Sequence, residues 1–137
     1  MTAKQFLNRA RRIDREISQL IELKQHTRDR LTNITQTLTA DIVSGSPDPH
    51  KFDKLAELEN DINDKIDELV EVKREIFLVI QQVPSRTHRL VLMSYYLDMN
   101  TWEQTAVNMN YSWRQTMRIH GLALVEVEKL LQSKKMS

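Results

Sequence analysis

The sequence predicts an all-α protein in which a long antiparallel helical hairpin precedes a smaller C-terminal helical domain. Its 137 residues include only two Gly and three Pro, with 40% hydrophobic and 28% charged residues. That composition is typical of a helical protein and unlike that of a β-rich one. Apolar residues also recur every three or four positions over two long stretches, which is the spacing of one helix face.

A capping box and a continuous apolar stripe predict the first helix. Thr2 and Gln5 have the spacing at which the two side chains bond each other's backbone amides. The stripe advances in alternating steps of four and three residues, which is the 3.5-residue period of a coiled-coil seam. It consists of Phe6, Ala10, Ile13, Ile17, Leu20, Lys24, Thr27, Leu31, Ile34 and Leu38.

The segment "SGSPDP" at 44–49 interrupts this pattern, and a second helix is predicted after it. Asp48 is suited to cap that helix, with Pro49 at its first position. The second stripe consists of Phe52, Leu55, Glu59, Ile62, Ile66, Leu69, Lys73, Ile76, Ile80 and Val83. Pro84 ends it, so residues 1–83 are predicted to form a coiled-coil-like hairpin.

Charge is distributed unevenly along the chain, although the net charge is only +1. Residues 1–43 and 86–137 each carry +3, whereas residues 44–85 carry −5. Antiparallel pairing would bring Glu71 and Glu75 to the arginines of the first helix, namely Arg9, Arg11, Arg12 and Arg15. Two alternatives remain open: a nucleic-acid-binding role for the arginines and a cation site for the carboxylates.

Further apolar residues lie beside the two stripes, and a hairpin alone would leave them in contact with water. They are Ile21, Leu23, Leu58, Val70, Val72 and Phe77. We expect them to be covered by the C-terminal domain or by a second chain. The sequence therefore predicts a homo-oligomer, with a dimer favoured.

Residues 85–137 are predicted to form a separate domain of three helices. Ser85 is suited to cap the first of these, and Thr101 with Gln104 forms a capping box for a short helix from Trp102 to about Met109. Asn110 readily adopts the left-handed conformation that ends a helix. Ser112 then caps a longer helix, Trp113 to about Leu131. A short helix, a tight turn and a longer helix are the elements of a helix-turn-helix.

The residues of this motif are spaced as its packing requires. Ala106 is small enough for the helix crossing. Met109, Tyr111 and Ile119 are predicted to fill the wedge between the helices, with Leu122 and Ala123 also facing inward. The residues predicted to face outward from the start of the last helix are Trp113, Arg114, Gln115, Met117 and Arg118. Arginine pairs with guanine edges and glutamine with adenine, so these residues predict a helix that reads the major groove of double-stranded DNA.

Two resemblances support this interpretation. The segment from about Leu90 to Leu131 resembles the region-4 helix-turn-helix of sigma-70-type factors. The whole chain, with "WEQTAVNMNYSWRQTMRIHGLAL" near its end, resembles the ArpU/RinA-type phage transcriptional regulators. This implies a sequence-specific regulator that activates late genes of a phage or prophage in the cytoplasm of a Gram-positive host.

The resemblance also implies contacts and partners. It places Ser112, Trp113, Arg114, Gln115 and Arg118 at the DNA. It implies phosphate contacts from Arg86, Arg89 and Thr101. RNA polymerase is a further partner by analogy with region 4.

Other classes of protein are disfavoured by what the sequence lacks. Without cysteine, the chain has neither disulfides nor thiolate metal sites. It contains no Gly-rich phosphate loop and no H-E-x-x-H pair, so we expect neither catalysis nor a cofactor. No apolar run is long enough to cross a membrane, and the N-terminus does not resemble a signal peptide. His120 is expected to be a hydrogen-bonded core or rim residue, and Trp102 to be packed in the core.

Two alternative functions remain open. A small terminase subunit for DNA packaging also joins a helix-turn-helix to an oligomerising helical region, and a ring of many chains would favour it. A helical adaptor that binds only protein would show no salt-dependent affinity for DNA.

Overall fold

A computed structural model describes the backbone of residues 1–40, 50 and 52–136, and the side chains of residues 1–33, 50 and 52–134. All regular elements in these ranges are helical, which confirms the all-α prediction. They are α1 Ala3–Ala40, α2 Asp53–Ile80, α3 Arg86–Leu92, a π-helical segment Met93–Leu97, α4 Trp102–Met109 and α5 Trp113–Met136. The predicted loop at 44–49, including the proposed cap Asp48 and Pro49, lies outside the described residues.

Side chains close in sequence satisfy the first amides of several helices. At α1, Thr2 Oγ1 accepts from the Gln5 amide at 3.2 Å, and Gln5 Oε1 accepts from the Thr2 amide at 2.9 Å. Ser85 accepts from the backbone amide three residues on at 3.3 Å. The predicted box between Thr101 and Gln104 is present at α4. These caps are confirmed because they depend on neighbours three residues apart and not on tertiary packing.

Helix α3 continues into the π-helical segment, which was not predicted. The Asp98 amide donates to Met93 O at 2.9 Å, the five-residue spacing of a π-helix. Met99 then turns the chain with a positive φ of 60°. The segment carries Tyr95 and Tyr96, both of which pack inside the domain.

The chain divides into two compact units, which differ from the predicted domains 1–83 and 85–137. The first, called here the mixed unit, comprises Met1–Ile13 and Leu69–Ser137. The second, called the middle unit, is Asp14–Glu68. The start of α1 and the end of α2 therefore belong to the same compact unit as the helix-turn-helix.

In the middle unit, α1 and α2 run antiparallel. Lys65 Nζ lies 2.7 Å from Glu16 Oε2, and Lys24 pairs with Glu59. Because a lower number on one helix meets a higher number on the other, the two pairs define the antiparallel direction. Ile17 is buried at the interface, and the stripe positions of α1 between Leu20 and Leu31 are half-buried. The stripe prediction for α1 is thus confirmed as far as residue 31, while Ile34 and Leu38 fall outside the described side chains.

The predicted seam of α2 is wrong at three of its positions. Glu59 is exposed and Ile66 is 42% exposed, whereas the neighbouring Leu58 is 5% exposed and Lys65 is half-buried. The spacing 58, 62, 65 and 69 alternates four and three as regularly as the predicted 59, 62, 66 and 69. Periodicity could not choose between these two seams, because Leu58 precedes Ile62 by four residues and Ile66 follows it by four. Phe52, the first residue of the predicted stripe, is also exposed, at 59%.

The mixed unit has one hydrophobic core to which most of its helices contribute. Its fully or nearly buried members are Ala3, Leu7, Ala10, Ile76, Val79, Ile80, Val83, Leu92, Tyr96, Ala123 and Val127. Arg9 Nη2 lies 2.6 Å from Glu75 Oε2, which confirms the predicted pairing of this arginine. The Ala3 amide donates to Glu128 Oε2 at 2.7 Å and joins the start of α1 to α5.

The apolar residues that flank the stripes differ in how far they are buried. Leu58 is buried and Val72 packs against the core of the mixed unit. The others are exposed in the single chain, at 51% for Ile21, 48% for Leu23, 60% for Val70 and 41% for Phe77. The contacts described within this chain do not cover these four side chains, so covering them would need another surface.

Candidate nucleic-acid interface

Helices α4 and α5 meet through the tight turn that the sequence predicts. Helix α4 ends at Met109, and Asn110 takes the left-handed conformation with φ 59° and ψ 39°. The Tyr111 amide then donates back to Ala106 O at 3.0 Å. Ala106 is 6% exposed at the helix crossing, as its size predicts. Helix α4, the turn and α5 are therefore compatible with a helix-turn-helix, and all three lie in the mixed unit.

A reciprocal capping box begins α5. The Gln115 amide donates to Ser112 Oγ at 3.1 Å, and the Ser112 amide donates to Gln115 Oε1 at 3.1 Å. This confirms Ser112 as the N-cap. It also occupies a lone pair of the Gln115 carboxamide, the group that was predicted to pair with adenine.

The inward face of α5 follows the spacing 116, 120, 123 and 127. Thr116 is fully buried and its hydroxyl donates to Ser112 O at 2.9 Å. Ala123 is buried as predicted, but Leu122 is 50% exposed, so its inward placement was wrong. One residue corresponds to about 100° of helix rotation, which turns Leu122 away from the face that holds Ala123. The predicted wedge is formed in part, since Met109 and Ile119 are half-buried and Tyr111 is 37% exposed.

The residues predicted to face DNA lie together at the start of α5. Trp113 is 58% exposed, Arg114, Gln115 and Arg118 are exposed, and Met117 is half-buried. Within the described part of the chain, neither Arg114 nor Arg118 forms an ion pair. Both guanidinium groups are therefore available to a ligand from outside.

The three predicted phosphate contacts lie in different surroundings. Thr101 is exposed, and its hydroxyl oxygen accepts from the Gln104 amide at 3.1 Å. Arg86 is exposed at the first position of α3. Arg89 is half-buried, and its Nη1 donates to Val83 O at 2.7 Å and to Pro84 O at 3.0 Å. Arg89 therefore holds the connection between α2 and α3, and its phosphate contact stays a prediction.

An aromatic stack packs against the helices of the motif. Tyr95 stacks on Trp102, the first residue of α4, with ring centroids 3.7 Å apart. Trp102 in turn lies 4.4 Å from the ring of His120 on α5. Trp102 is half-buried and packs in this stack rather than among the core residues of the mixed unit, so its predicted core position is confirmed only in part. The stack connects the π-helical segment, α4 and α5.

Arg11 joins α1 to this stack, a role that was not predicted. Its guanidinium carbon lies 3.9 Å from the centroid of the Tyr95 ring. Its Nη1 donates to Tyr95 O at 2.7 Å and to Asn100 O at 3.2 Å. Asn100 directly precedes the N-cap of α4, so Arg11 holds the segment that orients α4. The arginine-rich pattern near the N-terminus was the available signal, but it pointed to Glu71 and Glu75.

His120 is a buried core residue, as predicted. It is 6% exposed, and its Nε2 lies 2.6 Å from the Tyr96 hydroxyl. Burial lowers the pKa of His120 to about 4, and the charge of Lys4 acts in the same direction. Burial also raises the pKa of Tyr96 above its ordinary value. At neutral pH a neutral imidazole and a protonated tyrosine hydroxyl therefore share this hydrogen bond.

A second buried polar group fixes α4 to the π-helical segment. Ser94 Oγ lies 3.0 Å from Thr105 Oγ1, and Asn100 Nδ2 donates to Ser94 Oγ at 3.0 Å. Thr105 is fully buried and Ser94 is 8% exposed. The two hydroxyls satisfy each other, which a buried polar group requires.

The described residues give little support for a membrane-spanning helix or a metal site. None of the helices there is both long and apolar enough to cross a membrane. The same part of the chain holds no group of three or more His, Asp or Glu side chains placed to bind a metal ion. In the acidic stretch of α2, the Lys65 ammonium bonds Glu16 and Glu68. That contact favours charge pairing over the cation-site alternative for these carboxylates.

Comparison with protein-family models, curated proteins and solved structures finds no significant match to this chain.

Proposed function

We propose that this chain is a sequence-specific DNA-binding transcriptional regulator that places the start of α5 in the major groove. In this proposal the coiled-coil-like part of α1 and α2 mediates oligomerisation. The resemblance to ArpU/RinA-type regulators supports a phage or prophage protein that acts in the bacterial cytoplasm, activates late genes and contacts RNA polymerase.

The observation that carries the proposal is the contrast between the two faces of α5 in its first two turns. Thr116 is buried and anchors the helix, while Arg114 and Arg118 are exposed and unpaired in the described part of the chain. The two arginines share a helix face and lie about 6 Å apart along its axis, near the length of two base-pair steps. Each could therefore make a bidentate contact to a guanine.

Exposed apolar residues support an oligomer. In the middle unit these are Ile21 and Leu23, and in the mixed unit they are Val70, Phe77 and Leu78. Apolar groups of this kind on a surface often mark protein contacts. A dimer would present two helix-turn-helix motifs to DNA, which predicts repeated half-sites one or more helical turns apart.

The test is to incubate the full chain with random-sequence duplexes and to sequence what it retains. We expect one enriched motif, and the Arg114→Ala and Arg118→Ala variants should each lose about tenfold or more in affinity for it. Arg74→Ala is the matched control, because Arg74 is an exposed arginine on α2. The proposal fails if no motif is enriched, or if the control variant loses as much affinity as the two α5 variants.

The mass of the oligomer distinguishes the terminase alternative from the regulator. Light scattering coupled to size exclusion should give a dimer for the regulator. A ring of many chains, together with a motif inside packaging genes, would favour the small terminase subunit instead. Absence of salt-dependent DNA binding would leave the protein-binding adaptor.

A further inference from the structure

Gly121 occupies the middle of α5, where the described packing does not require a glycine. The residue is exposed and its φ is not positive. A Cβ atom built there would have nothing within 4 Å. Glycine is among the least helix-favouring residues because it loses the most backbone freedom on folding. An alanine would fit at this position and would favour the helix.

Gly121 also shares a face with the two exposed arginines. Arg114, Arg118 and Gly121 follow steps of four and three residues, which keep them on one side of the helix. From Arg114 to Gly121 the helix advances about 10 Å, close to the roughly 12 Å width of the major groove. If α5 crosses the groove with Arg114 near one wall, Gly121 lies near the other.

We infer that Gly121 is a DNA-contact position at which the missing side chain lets the sugar–phosphate backbone approach the backbone of α5. The inference rests on the proposed function and adds a residue that was not among the predicted contacts. Close approach of another backbone is a recurrent reason for glycine at a given position. On this face the nearest charged residue on its N-terminal side, Arg118, is basic, which suits phosphate. On its C-terminal side the nearest on this face is Glu128, whose Oε2 accepts from the Ala3 amide at 2.7 Å.

Two copies of α5 packed antiparallel about Gly121 would place Arg114 of one copy beside Glu128 of the other, because residues at equal distances from Gly121 meet. We take double-stranded DNA as the occupant because Arg114 and Arg118, the two exposed arginines on this face, suit phosphate. A change in particle mass would reveal a second copy instead.

The test compares Gly121→Ala with the unchanged full chain on a duplex recovered from the random-sequence pool. The variant should melt about 4 °C higher, because alanine favours the helix. Its affinity for the duplex should nevertheless fall about tenfold or more, because the methyl group meets the DNA backbone. Gly121→Leu should bind still more weakly. Opposite changes in stability and affinity distinguish a contact from general damage.

Ser133→Ala is the matched control, because Ser133 is exposed near the far end of the same helix. It should raise the melting temperature slightly and leave DNA affinity unchanged. Equal affinity of Gly121→Ala and the unchanged chain overturns the inference and leaves the proposed function standing. A changed particle mass at unchanged DNA affinity overturns it in favour of a helix–helix contact. If the unchanged chain retains no duplex, the proposed function and the inference fail together.

Discussion

Arg11 and Tyr95 lie 84 residues apart in sequence, yet the guanidinium of Arg11 covers the Tyr95 ring at 3.9 Å and donates to the Tyr95 carbonyl at 2.7 Å. The contact makes the start of α1 part of the domain that contains the helix-turn-helix. Because Tyr95 stacks on Trp102, it also links α1 to the first residue of α4. Arg11 thus contacts the segment that leads into α4, although it lies far from that segment in sequence.

Arg11→Ala should lower the free energy of unfolding by about 2 kcal/mol. The substitution removes charge-assisted hydrogen bonds to two carbonyls and a cation–π contact. Urea unfolding followed by circular dichroism measures the change. Arg12→Ala is the control, since Arg12 is exposed, and it should change the free energy by less than about 0.5 kcal/mol. Equal effects of the two substitutions would show that the Tyr95 contact contributes no stability.

The His120–Tyr96 pair should make the protein sensitive to acid. The folded pKa of His120 is about 4, below its ordinary value of 6.5, so between these values the unfolded state binds more protons than the folded state. His120 therefore contributes stability that is present above pH 6.5 and is lost as the pH falls through about 4. The expected total loss is about 3 kcal/mol.

Unfolding free energies at pH 7 and pH 4.5 check this, with the difference between His120→Gln and the unchanged chain as the readout. The variant should lose less stability on acidification than the unchanged chain. His26→Gln is the control, because His26 is an exposed histidine on α1. If removing His26 reduces the acid sensitivity as much as removing His120, burial of His120 is not its source.

The left-handed turn should tolerate glycine at Asn110 and reject a branched residue. Asn110→Gly removes the Cβ that is disfavoured at φ 59°, so stability should stay the same or rise slightly. Asn110→Val should cost about 2 kcal/mol, because a branched side chain is strained there. Thermal unfolding of both variants tests this. A harmless valine would mean that the turn does not hold the left-handed conformation.

The seam of α2 is tested by a pair of truncations eight residues apart. Leu58→Ala should cost about 3 kcal/mol, since Leu58 is 5% exposed. Ile66→Ala should cost less than about 1 kcal/mol, because Ile66 is 42% exposed. Chemical unfolding of both variants gives the comparison. A larger cost for Ile66→Ala than for Leu58→Ala would favour the seam predicted from the sequence.

The features predicted correctly are those set by residues near one another in sequence. The capping box of Thr101, the left-handed Asn110 and the start of α5 at Trp113 each depend on side chains within a few positions. The burial of Ala123 follows from helix periodicity once the direction of the core is known. Local chemistry was therefore sufficient to predict the outline of the helix-turn-helix.

The features missed depend on contacts between distant segments. Arg11 could have paired with the acidic residues of α2, and only tertiary packing brings it to Tyr95 instead. On α2, apolar residues on both sides of Ile62 allowed two seams of equal regularity. The inward prediction for Leu122 failed for a similar reason, because several apolar residues of α5 compete for one narrow face.

Whether α5 reads DNA is tested most directly by the affinity of the full chain for its recovered duplex and for a scrambled duplex across a salt series. We expect a preference for the recovered duplex and a linear fall of log affinity with log salt. The Arg118→Ala substitution should reduce the preference about tenfold or more. Equal binding to both duplexes, or an unchanged preference in the Arg118→Ala variant, would contradict a DNA-reading role for α5.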